Sequence, residues 1–167
     1  VEGLAARDDI SVIVLTGAGR GFSSGGNVKA IRDRAGATRL DTPAATRENY
    51  RRGIQKMVYA LYNVDVPTIA AVNGVALGLG NDIACACDIR IATDTARFAS
   101  TFVKLGIIPG DGGAWLLPRA VGWQKAAEML FTGDMISATD ALACGLVAQV
   151  VPSAELMPAA LTLAERI

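Results

Sequence analysis

Pro67-Thr-Ile-Ala-Ala-Val-Asn-Gly-Val-Ala-Leu-Gly-Leu-Gly-Asn-Asp82 is the stretch whose reading decides the fold class. Thr68 to Val72 is a short, β-rich apolar run begun by Pro67, which reads as a buried strand. Asn73-Gly74 signals a turn. Gly78-Leu79-Gly80 then opens a helix expected from about Asn81 to Cys87. A strand passing through a glycine turn into a helix leaves unpaired N–H groups and partial positive charge at the turn.

Working outward, Ser11 to Thr16 repeats the pattern: a β-branched run stopped by Gly17, Gly19 and Gly21, hence a strand feeding a tight loop. A helical turn or two is expected from Asn27 to about Arg34. Residues 35–46 are small, polar and Pro-containing, and predict a mobile loop. Apolar residues at helical spacing predict one helix over Glu48 to Asn63. Further strands are expected at Asp88 to Thr93, Arg97 to Ala99 and Leu146 to Val151. Pro109-Gly-Asp-Gly-Gly113 opens a helix through Arg119, and more helices are expected over Gln124 to Phe131, Ala138 to Ala143 and Ala154 to Ile167. Strands alternating with helices argue an α/β class with parallel strands.

The chain has 167 residues, 51% of them apolar and 19% charged, which suits a single domain over 1–167. Sixteen basic residues balance sixteen acidic ones, so no global field favours nucleic acid or an anionic membrane. There is no histidine, which excludes the Ser-His-Asp triad and imidazole metal sites and leaves acid-base work to carboxylates. Three cysteines, Cys85, Cys87 and Cys144, form no CxxC pair and suggest a reducing, cytoplasmic setting. The apolar run from Val66 to Cys87 is interrupted by Asn73, Asn81 and Asp82, so no transmembrane helix is expected. Val1 and Ile167 read as cut ends.

Gly21-Phe-Ser-Ser-Gly25 matches the G-x-S-x-G nucleophile elbow, but that nucleophile needs the absent histidine. Gly17-Ala-Gly19 falls short of a dinucleotide fingerprint because Phe22 stands where glycine is required. A nucleotide-binding α/β module remains an alternative. The two glycine turns, Ser23 to Asn27 and Gly78 to Asn81, sit in segments that could lie side by side and form an oxyanion hole, or they could simply permit tight turns.

The order of motifs resembles the crotonase (enoyl-CoA hydratase/isomerase) superfamily. The match runs through Val12 to Asn27, Pro67 to Asp82, Cys87 to Ala92, Gly106 to Gly113 and the later Pro118-Arg-Ala-Val-Gly122. The resemblance implies a spiral of β-β-α units, incomplete at both ends of this chain. It also implies acyl-CoA thioester substrates, no metal, no cofactor beyond the coenzyme A of the substrate, and trimers or dimers of trimers.

Carried over residue by residue, the resemblance makes the backbone N–H groups of Gly26 and Leu79 the oxyanion donors. Ser24, Gly25, Asn27, Val28, Gly78 and Phe102 would line the substrate. The family's two hydratase glutamates correspond to Asp82 and Phe102, and phenylalanine can neither hold a water nor deliver a proton, so ordinary hydration is not expected. Asp111 is a further proton-carrier candidate, similar to an aspartate of the 1,4-dihydroxy-2-naphthoyl-CoA synthase branch. Its competing reading is an N-cap for the following helix. Asp82 could equally be a first-turn charge that complements its helix dipole. Lys104 and Arg119 read as surface or structural, the cysteines as small core residues and Trp115 as packing, with the pocket wall as its alternative. The functional expectation is an enzyme that stabilises a thioester enolate, with an inactive acyl-CoA-binding scaffold as the alternative.

Overall fold

The computed structural model of the chain describes residues 2–5, 7–29, 33 and 42–167. Its frame is a four-stranded parallel sheet, in spatial order β1 (Ile13–Thr16), β2 (Thr68–Val72), β4 (Ile89–Thr93) and β7 (Gln149–Val151). All five residues of β2 are buried. Ile69 and Ala71 pack with Ile91 and Val151 against Leu156 and Ala160 of the last helix. Ala70 and Val72 face the larger core, with Ala84, Leu117 and Met129. Burial on both faces is why this strand reads as an unbroken apolar run rather than an alternating one.

Helices with described bounds are α1 (Glu2–Ala5), α2 (Pro43–Arg52), α3 (Ile54–Tyr62), α4 (Leu79–Ala86), α5 (Gly113–Val121), α6 (Trp123–Thr132), α7 (Ala138–Ala143) and α8 (Leu156–Ala164). A second sheet contains β3 (Val75–Leu77), β5 (Arg97–Ala99) and β6 (Ile136–Ser137). β3 and β5 are parallel, but β6 runs antiparallel to β5, which corrects the expectation of parallel strands throughout. β3 and β6 are too short for any periodicity to announce them.

The single helix expected over Glu48 to Asn63 is two helices. Gly53, at φ −112° and ψ −99°, breaks it, and α3 then buries Val58 and Leu61, each worth about 1.5–3 kcal/mol. The helical stretch also begins earlier: Thr42 Oγ1 accepts from Ala45 N–H at 3.1 Å and Pro43 takes the first helical position, where its missing N–H costs nothing. Of the expected loop over 35–46, residues 35–41 lie outside the described residues, and 42–46 form this cap and first turn. In the turn expected after Asn27, Val28 and Lys29 are helical and Asp33 N–H donates to Lys29 O at 2.9 Å; residues 30–32 and 34 lie outside the described ones. The last strand is shorter than expected, because Leu146 and Val147 turn their N–H groups to Ala141 O and close α7 instead. Among the described residues no helix is long and apolar enough to cross a membrane.

Candidate active site

Asn73, directly after β2, ties that strand's end to the glycine loop that follows β1. Its Oδ1 accepts from Gly17 N–H at 3.2 Å, and its Nδ2 donates to Gly17 O at 3.1 Å and Gly19 O at 2.9 Å. One residue pair further, Ser23 bridges to Ala76. Phe22 and Ser23 donate to Val75 O at 3.1 and 3.0 Å, and Leu77 N–H donates back to Ser23 O at 2.9 Å. The loop after β1 is thereby sewn along β3. A Cβ on Gly80 would overlap the Ser23 carbonyl, and one on Gly25 would sit 2.8 Å from Leu77 O and 3.3 Å from Leu79 N. The two turns therefore meet, and they need glycine to do so.

Gly78, at φ 53°, caps α4, so Leu79 is its first residue and its N–H has no acceptor within the helix. Gly78 is buried, Gly25 and Leu79 are half-buried, and Ser24, Gly26, Asn27 and Val28 are exposed. Phe102 lies in a 3-10 turn, Thr101–Leu105, and its ring is 3.7 Å from where a Cβ on Gly78 would be. It stands beside the glycine turn, at the position the resemblance gives to an acid.

The two candidate carboxylates come together inside the protein. Asp82, in the first turn of α4, is 0% exposed, and Asp111, just ahead of α5, is 4% exposed. Burial pushes the Asp82 carboxyl well above the usual carboxylate range, and the hydrogen-bonding proximity and charge of Asp111 push it further. Asn81 Nδ2, at 3.5 Å, and the Gly113 N–H oppose the shift. A negative charge beside it disfavours its ionised form, so Asp82 holds its proton to higher pH than an ordinary carboxyl does. Asp82 Oδ2 and Asp111 Oδ1 are buried with no hydrogen-bond partner, as are Asn81 Oδ1 and Ser100 Oγ. Buried polar atoms without partners call for an explanation, and a reacting group that arrives with the substrate is one.

The N-cap reading of Asp111 is overturned. The cap of α5 is Gly112 at φ 108°, with no side-chain cap bond. Asp82 is a first-turn residue, but a wholly buried one rather than a surface charge. Trp115 is not core packing: it is 55% exposed and lies under the Arg119 guanidinium, 3.0 Å from the ring centroid. Lys104 pairs with Asp134 at 3.1 Å on the surface. Cys85 and Cys87 are buried and Cys144 half-buried; burial pushes the thiols of Cys85 and Cys87 up to about 12, so they stay neutral.

Three residues at this end of the molecule escaped the sequence reading. Gly113 brings α5 onto Asp82, and a Cβ there would overlap both carboxylate oxygens. Tyr50 lays its ring against Gly110, and Gln55 Nε2 donates to Gly110 O at 2.7 Å. The glycines around Asp111 were the available signal for Gly113; nothing local marks Tyr50 or Gln55. A cleft of about 460 Å³ lies at the other end of α4, lined in part by Cys87, Asp88, Arg90 and Arg119. It touches none of the candidate residues. There Arg90 donates to Cys87 O and, from Nε, to Leu146 O, both at 2.5 Å.

The family model for enoyl-CoA hydratase/isomerase matches residues 4–167. The chain belongs to the enoyl-CoA hydratase/isomerase family. It is 40% identical over 162 residues to the short-chain-enoyl-CoA hydratase of Clostridium acetobutylicum, covering 95% of this chain and 58% of that protein. It is 37% identical over 158 residues to the mitochondrial enoyl-CoA hydratase of Pongo abelii, covering 95% of this chain and 51% of the relative. The crystal structure of an enoyl-CoA hydratase from Bacillus anthracis superposes with a TM-score of 0.87 at 36% identity, over 99% of this chain and 61% of that one. The crotonase fold expected from the motif order is thus the observed one. The chain spans about half to three-fifths of the length of these relatives. None of these matches supports the nucleotide-binding alternative.

Proposed function

We propose that this enoyl-CoA hydratase/isomerase family member processes acyl-CoA thioesters by stabilising the thioester enolate. The observation that carries this reading is the burial of Asp82 and Asp111 together at the start of α4 and α5, with Asp82 in the same first turn as Leu79, whose N–H has no acceptor in its own helix. In the proposed reaction the thioester oxygen accepts from the N–H groups of Gly26 and Leu79. Charge developing on that oxygen then meets fixed donors at a helix start, an arrangement in which each donor is typically worth about 2.7–4 kcal/mol.

The carboxyl pair holds the proton of Asp82, so it can give a proton to one carbon of the acyl chain and take one from another. That is the chemistry of a double-bond shift. Hydration would need a second group to hold and activate a water on the Gly78 side, where Phe102 stands. Isomerisation of a 3-enoyl to a 2-enoyl thioester is therefore the reaction proposed, in preference to addition of water. Ser24, Gly25, Asn27, Val28 and Gly78 would contact the substrate along the two turns, and coenzyme A would enter only as part of it.

Conversion of a 3-enoyl thioester by the protein, lowered about 10²–10⁴-fold in Asp111→Asn, is the expected result. Equal rates in the two proteins would refute the assignment. Phe102 also favours a second reading, an acyl-CoA-binding scaffold without turnover; binding of every thioester offered with conversion of none would establish it. Assembly into trimers or dimers of trimers belongs to the same proposal. Trp123 and Phe131, each 75% exposed, and Ile108, 81% exposed, are apolar surface that other copies would cover. Light scattering from a stable monomer would contradict that part.

A further inference from the structure

Asp111 stands on a turn that its own backbone hardly ties. Among the described residues no backbone–backbone hydrogen bond is made by residues 108–111, and the glycines at the two ends of the turn, Gly106 and Gly112, take φ 68° and 108°. The carboxyl does not anchor the turn through Oδ1, which is buried without a hydrogen-bond partner. Such a side chain sits where its backbone puts it, so whatever holds the backbone sets its place.

The hold comes from α3. Gln55 Nε2 donates to Gly110 O at 2.7 Å, across 55 residues of sequence. Gln55 and Val58 are three residues apart on α3 and share a face of it. Val58 is buried, and its Cγ1 is 3.4 Å from the Cβ position of Gly112. The two side chains therefore grip the residues directly before and after Asp111. The Tyr50 ring of α2 adds to the constraint, lying 3.2 Å from the Cβ position of Gly110. Of these contacts only that of Gln55 is a hydrogen bond, and a hydrogen bond fixes direction where packing limits space.

We propose that Gln55 is a positioning residue, which sets the place of the Asp111 carboxyl beside Asp82 by fixing the Gly110 carbonyl. This role rests on the acyl-thioester reading above, in which the Asp82 and Asp111 pair moves the substrate's proton. Gln55 bonds the main chain of Gly110 and acts only through Asp111. Misplacement of a reacting group by about 1 Å costs up to about 10²-fold in rate, so a tether on the turn bears directly on turnover.

The same placement is readable without substrate. Burial raises the pH at which Asp82 ionises, and the nearness of Asp111 raises it further. The other titratable groups around the pair, among the described residues, are the Cys85 thiol on α4, pushed up by burial to about 12, and the Tyr50 phenol on α2, also pushed up by burial. Both are neutral where carboxyls titrate, so withdrawal of Asp111 is what a shift at Asp82 would report.

The test is Gln55→Met, which keeps a long helix-forming side chain and removes the donor, with the isosteric Gln55→Glu as a second variant. Folding is checked by circular dichroism. In conversion of a 3-enoyl thioester, kcat is expected to fall about tenfold or more while KM stays within about twofold. In an Asp111→Asn background the same change should cost less than about twofold, because its only route of action is gone. The titration of the Asp82 carboxyl carbon, followed by ¹³C NMR, should move down by about one pH unit. A merely structural glutamine would cost the same in both backgrounds and leave that titration in place; either result overturns the proposal. If the unsubstituted protein converts no thioester, the acyl-thioester reading falls by itself, and the Asp82 titration alone decides whether Gln55 holds Asp111.

Discussion

Asp82 and Asp111 meet in the interior with one oxygen of each, Oδ2 and Oδ1, left without a hydrogen-bond partner. The pair is held by an unusual approach: α5 begins at Gly113, and the lack of a side chain there lets the start of that helix rest on the Asp82 carboxyl. An isolated buried carboxylate would be expensive. Here the Gly113 N–H and Asn81 reduce the cost only in part, and Asp82 holds its proton to higher pH than an exposed carboxyl does.

That proton makes stability depend on pH. The folded state holds it above the pH at which the unfolded chain releases it. The contribution is complete below the ordinary carboxylate range and is lost as pH rises through the folded value. Asp82→Asn removes the titration. Its stability relative to the unsubstituted protein should therefore rise with pH above 4, by no more than about 1.4 kcal/mol per pH unit for one proton. Thermal unfolding at several pH values reads it, and a stability difference that does not change with pH would contradict the buried proton.

Gly113→Ala places a Cβ on the Asp82 oxygens. Neither α4 nor α5 can move freely, since Leu116 and Leu117 of α5 lie in the core with Ala84 and Cys85 of α4. A loss of about 2–3 kcal/mol in denaturant unfolding is expected. An unchanged midpoint would mean that the approach of α5 to Asp82 is looser than described.

Gly26→Pro deletes one proposed oxyanion donor. Turnover of the thioester should fall about 10²–10³-fold in a variant whose circular dichroism shows an intact fold. Unchanged turnover in the folded variant would remove Gly26 from the site.

Phe102→Glu restores a carboxylate beside Gly78. If the absence of that acid is what disfavours water addition, hydration of a 2-enoyl thioester should rise about tenfold or more. No gain in a folded, thioester-binding variant would show that the turn at 102 does not face the substrate.

The strand-turn-helix from Pro67 to Cys87 was legible because a doubly buried strand is apolar at every position and glycines mark both ends of the turn. The meeting of the two glycine turns was legible as an order of motifs, though its cause, the Asn73 bonds to Gly17 and Gly19 and the pairing of Ser23 with β3, is invisible along the chain. Asp111 shows where local reasoning fails. An aspartate followed by two glycines suits an N-cap at 111, yet Gly112 can take the cap position with a positive φ, which frees the aspartate to turn inward. Only the packing of α5 on α4 distinguishes the two. Gly53 misled in the opposite way: a lone glycine within a helical pattern is usually tolerated, whereas here it redirects the chain. Tyr50 carried no signal at all, because its partner, Gly110, is brought to it by tertiary structure.

Stabilisation of a thioester enolate by the turns at Gly26 and Leu79 is read from a difference spectrum of the protein titrated with acetoacetyl-CoA. A saturable band from the bound enolate, much weakened in Gly26→Pro, is the predicted result. Binding of acetoacetyl-CoA without any such band would contradict it.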